Sequence, residues 1–124
     1  MIHLDTSTLV DALTGTRRSS RVLRTAIENG ERVQISTIVL YEWLRGPRLP
    51  AELDDQEALF PREGAIAFDS EAAAVAARLY ARLPRARGRE IDLAIAACAI
   101  VQGAALWTLN RSDFDDIPDL RLHA

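Results

Sequence analysis

The chain has 124 residues, 48% hydrophobic and 27% charged, with a formal net charge of −3 at pH 7. That suits one soluble globular domain over residues 1–124 and argues against a general nucleic-acid binder, which would be basic. The longest apolar run, Leu93 to Val101, is too short for a membrane span. The N-terminus lacks a basic flank, and the single cysteine, Cys98, allows no internal disulfide, so a cytoplasmic protein is expected.

In chain order, Ile2-His3-Leu4 reads as a short strand closed by Asp5. Ser7 to Leu13 reads as a helix stopped near Gly15. Ser20 to Asn29 carries Val22, Leu23, Ala26 and Ile27 at helical spacing and stops at Gly30. Val33 to Ile35 is a second strand. Ser36 or Thr37 caps the next helix, which ends near Arg45 before Gly46-Pro47. Asp54 to Phe60 is a weak helical segment, and Ala65 to Phe68 a third strand. Ser70 caps an Ala-rich helix that ends before Pro84. Another helix runs from about Glu90 to Gln102. Ala105 to Leu109 is a fourth strand, and Leu120 to Leu122 a short fifth. Strands alternating with helices imply an α/β fold with a mainly parallel sheet covered on both faces.

In such sheets ligands bind beyond the carboxyl ends of the strands. Asp5 follows the first strand, and Glu42 lies two turns into the helix after the second. Asp92 opens the helix before the fourth strand, and Asp113 lies in the loop after it. All four can meet at one rim. Asp92 and Glu42 sit among apolar neighbours, where a carboxylate needs a cation or a hydrogen-bond donor. Each also reads, taken alone, as an ordinary helix acid facing solvent, and Asp5 as an N-cap. Taken together, gathered acids call for a hard divalent ion such as Mg²⁺ or Mn²⁺, which can activate water at a phosphodiester.

All fifteen basic residues are arginine, and ten of them cluster: Arg17, Arg18, Arg21 and Arg24; Arg45 and Arg48; and Arg82, Arg85, Arg87 and Arg89. Local patches of this kind can hold phosphates on an acidic protein; they also read as solvated helix faces. Two phosphate-handling classes use a strand-end Asp with Mg²⁺, receiver domains and haloacid-dehalogenase-type phosphatases; resemblance to either would imply an essential lysine, and there is none. His3 reads as a strand side chain. Asp115 and Asp116 read as solvated loop acids, Asp11 as a solvent-facing helix acid, and Trp43 and Trp107 as core.

The runs Ile2-His3-Leu4-Asp5-Thr6-Ser7, Ile35-Ser36-Thr37 with Tyr41-Glu42 and Arg45-Gly46, Glu90-Ile91-Asp92-Leu93-Ala94-Ile95-Ala96-Ala97 and Thr108-Leu109-Asn110-Arg111-Ser112-Asp113-Phe114 occur in that order. As an ordered set the chain resembles the PIN-domain ribonucleases, most closely the VapC-type toxins of toxin–antitoxin pairs. The resemblance implies a three-layer α/β/α fold with sheet order 3-2-1-4-5. It further implies Mg²⁺- or Mn²⁺-dependent endoribonuclease activity, a homodimer and a VapB-like antitoxin partner. Asp5 and Asp92 match the principal metal ligands, and Glu42 and Asp113 the remaining acids. Thr6 matches a hydroxyl near the metal water, and Asn110 a polar position that is often Asp. The family's Pro-Gly-Leu ending reads Pro118-Asp119-Leu120 here. The competing reading is a catalytically degenerate PIN domain that binds RNA or protein; the presence of all four acids disfavours it.

Overall fold

A computed structural model describes all 124 residues. Strand β1 (Ile2–Leu4) leads into helix α1 (Thr6–Leu13), then α2 (Ser20–Glu28), β2 (Val33–Gln34) and α3 (Thr37–Arg45). Next come α4 (Pro50–Leu59), α5 (Ser70–Arg82), α6 (Glu90–Val101), β3 (Ala105–Trp107) and β4 (Arg121–Leu122), with single 3₁₀ turns at Arg62–Gly64 and Arg111–Asp113.

The sheet is parallel throughout, in the order β2-β1-β3-β4. The expected strand at Ala65–Phe68 shrinks to one parallel bridge, Ser36 to Ile66. Ile66 N–H donates to the Ile35 carbonyl and Thr37 N–H to the Ile66 carbonyl, but Phe68 N–H then donates to the Thr37 hydroxyl. A side chain takes the donor that would have extended the ladder. With that bridge as its edge, the sheet keeps the expected 3-2-1-4-5 order.

Other element boundaries also shift. Helix α4 starts at Pro50 rather than Asp54, because proline suits the first helical position and Glu52 accepts from Leu49 N–H at 2.8 Å. Asp69, not Ser70, caps α5, accepting from Ala72 N–H at 2.9 Å.

Helix α6 is apolar around its whole circumference, and Leu93 through Ala99 are all buried. It packs along α5 and against α3 and β3. A helix of this kind is held by burial rather than by a solvent-facing stripe. Both tryptophans are buried, Trp43 completely. No helix is long and apolar enough to cross a membrane.

Candidate active site

β1 lies between β2 and β3, so Asp5 leaves the sheet at the carboxyl end of its central strand. Asp5 is 4% exposed. Its oxygens are held by several donors: Oδ1 accepts from Ser7 Oγ at 2.6 Å and Thr8 N–H at 3.1 Å, and Oδ2 from Thr108 Oγ1 at 2.5 Å. Asp5 is therefore the N-cap of α1 as well as a candidate ligand. An ionised carboxylate offers about four lone-pair sites, so three local donors leave one for a partner from outside.

Glu42 is half-buried on α3 and faces α1. Its Oε1 accepts from Thr6 Oγ1 at 2.5 Å, and Arg45 reaches Oε2 at 3.4 Å. Asp92, in the first turn of α6, takes part in none of the side-chain hydrogen bonds. Partial burial raises its pKa, and the charges of Asp113, Glu42 and Asp5, in that order, raise it further, opposed by Arg89. The sequence-read acids thus share one electrostatic neighbourhood. Asp113 is exposed, on the 3₁₀ turn after β3. Asn110 is exposed too, and its N–H donates to Thr108 Oγ1 at 2.9 Å.

The donor set is all oxygen and carries excess negative charge, which fits a hard divalent ion in type and sign. No three of these side chains stand close enough, as placed, to enclose an ion by themselves. An ion held here would therefore have to keep several of its own waters, as Mg²⁺ does.

Three residues of this neighbourhood were not singled out from the sequence. Buried Thr108 bonds Asp5 across 103 positions of chain. Ser7 bonds Asp5 and also accepts from Leu109 N–H at 3.1 Å. Arg89 binds Asp116 through two hydrogen bonds, at 2.7 and 2.8 Å, so Asp116 is an ion-pair partner and not the free loop acid expected. The Arg89 guanidinium holds the Asp116 carboxyl below the usual range. None of the three left a sequence signal: Thr108 fell inside the expected strand Ala105–Leu109, and in the structure it directly follows β3.

A sequence model of the PIN domain matches residues 2–120. The chain belongs to the PIN-domain family. This PIN domain is 36% identical to Ribonuclease VapC19 of Mycobacterium tuberculosis over 95% of both chains, which sets it in the VapC branch. Its fold matches VapBC of Salmonella typhimurium, solved bound to DNA, with a TM-score of 0.81 at 26% identity, covering 98% of this chain and 96% of that one. VapBC2 of Rickettsia felis, bound to a fragment of its promoter DNA, matches with a TM-score of 0.79 at 26% identity, over 99% and 98% of the two chains.

The PIN domain's departure at Pro118-Asp119-Leu120 leaves the turn in place. Asp119 adopts φ +68°, the left-handed conformation that a glycine would take without strain.

Proposed function

We propose that this PIN domain is a metal-dependent endoribonuclease, the toxin of a toxin–antitoxin pair, acting in the cytoplasm. The observation that carries the reading is Asp92: a half-buried carboxylate whose charge is opposed by three neighbouring acids. Such an arrangement weakens the fold and makes sense as a cation site. Asp5 and Asp92 would hold Mg²⁺ or Mn²⁺, with Glu42 and Asp113 contributing directly or through water. The bound ion supplies an activated water and neutralises charge on the phosphodiester.

The chain's own groups do the rest. Ser7, Thr8 N–H and Thr108 fix the direction of the Asp5 carboxylate. Thr6 fixes Glu42, which orients water for attack. The kinship to a VapC ribonuclease and to VapBC assemblies supports RNA as substrate and a VapB-like antitoxin as partner. Tyr41 and Leu44 are exposed on α3, which supports a homodimer; light scattering on the purified chain would show a dimer if this is right.

The test is cleavage of RNA by the purified protein with added Mg²⁺ or Mn²⁺. EDTA should stop it, and Asp5→Asn should lower it by a factor on the order of 10³ or more. RNA cleavage that survives EDTA would sink the metal mechanism. RNA binding without cleavage at saturating Mg²⁺ would instead favour the degenerate binding module.

A further inference from the structure

Arg89 stands at the N-cap position of α6, but its side chain makes no capping bond there. The guanidinium instead crosses to the segment after β3. Nη2 donates to the Asp113 backbone carbonyl at 2.9 Å and to Asp116 Oδ1 at 2.7 Å, while Nη1 donates to Asp116 Oδ2 at 2.8 Å. One planar group thus joins the first turn of α6, which carries Asp92, to the 3₁₀ turn that carries Asp113. The Arg89 side chain is only 20% exposed. A two-pronged arginine–carboxylate pair adds a fixed, planar geometry that a single-contact ion pair lacks, though Asp116 is half exposed.

The pair also governs charge. Arg89 is a cation beside Asp92 and Asp113. Unpaired, its guanidinium could turn onto either carboxylate and compete with a divalent ion. Asp116 occupies both of its terminal nitrogens and holds it aside. We propose that Arg89 is a positioning residue for RNA cleavage: held by Asp116, it fixes the Asp113 turn against the Asp92 turn. This rests on the metal-dependent ribonuclease reading above.

The experiment is steady-state RNA cleavage, with Mg²⁺ titrated, for Arg89→Ala, Arg89→Lys, Asp116→Ala, Asp113→Ala and the Arg89→Ala/Asp113→Ala double variant. Rates are normalised to the folded fraction from circular dichroism. Arg89→Ala should lower kcat by about 10–100-fold with little change in KM for RNA, the range typical of groups that orient ligands. Arg89→Lys should not restore it, since an ammonium cannot make the planar two-pronged pair. The double variant should be no slower than Asp113→Ala alone, because Arg89 acts through that turn. Asp116→Ala, at a half-exposed site, should raise the Mg²⁺ concentration needed for half-maximal rate.

Additive losses in the double variant, a change confined to KM for RNA, full rescue by lysine, or an Asp116→Ala enzyme with wild-type Mg²⁺ dependence would each overturn the inference. Asp92→Asn separates the two claims. If it is inactive while Arg89→Ala matches wild type, only the positioning role is wrong; if it is fully active, the underlying site is wrong.

Discussion

Asp92 holds its proton more tightly in the folded protein than in the unfolded chain, because of burial first and then Asp113, Glu42 and Asp5. A carboxyl with a raised folded pKa weakens the fold once it ionises. The penalty is absent below the unfolded value of 3.8 and complete once pH has risen past the folded one. At neutral pH Asp92 therefore opposes folding. Asp92→Asn should raise the melting temperature of the metal-free protein while abolishing cleavage, and Mg²⁺ should stabilise wild type more than the variant. Thermal melts with and without Mg²⁺ check this; a variant that melts lower and gains equally from Mg²⁺ would contradict it. Glu42 and Asp92 were legible as candidates because a carboxylate flanked by apolar residues stands out in one dimension, and Asp5 because it ends an apolar strand just before a hydroxyl-rich turn. Thr108 and Arg89 were not. A hydroxyl after a strand and an arginine in an arginine-rich loop look ordinary until folding brings them to partners 103 and 27 positions away.

Among the elements, those with strong periodicity or a buried run were placed to within a residue or two, as with β1, α3 and α6. The Ala65–Phe68 strand was misread because composition cannot show that the Thr37 hydroxyl takes the next ladder donor. Helix α4 was read too short because it lacks an apolar stripe. Its one buried residue is Gln56, whose Nε2 donates to the Phe60 carbonyl at 2.9 Å. The turn before β4 offers a test at this scale. Asp119 sits at φ +68°, where a Cβ costs about 1–2 kcal/mol for most residues and less for Asp. Its contact with Arg82, at 3.7 Å between exposed side chains, offsets little of that. Asp119→Gly should stabilise by about 0.5 kcal/mol after the entropy cost of glycine, with cleavage unchanged. Urea denaturation would register it as a higher midpoint at constant slope; a lower midpoint would mean that the Arg82 contact or an Asp-specific turn bond dominates.

For the whole molecule, the largest pH lever is His3, at the middle of the central strand. It is 1% exposed, and neither ring nitrogen has a hydrogen-bond partner. Burial first, and the α-amino group of Met1 second, push its pKa down from 6.5 to about 4. A histidine with a depressed folded pKa favours folding fully above pH 6.5. That contribution falls as pH drops toward 4, at up to about 1.4 kcal/mol per pH unit. Because β1 pairs with both β2 and β3 and delivers Asp5, charging His3 strikes the sheet and the site together. Asp92 works in the opposite sense, since protonating it relieves repulsion, so the wild-type slope understates the effect of His3. The comparison that isolates it is wild type against His3→Leu, followed by urea unfolding from pH 7.5 to 4.5. Leucine fills similar space with no ionisable group, so relative to wild type the variant should gain stability steadily as pH falls through this window, and on its own it should hold level or rise as Asp92 is protonated. The two curves should diverge by an amount on the order of 3 kcal/mol at the acid end. If the variant instead weakens as steeply as wild type, the acid sensitivity lies in the carboxylate pairs, with Arg89–Asp116 the first to examine, and His3 is simply a tolerated core residue.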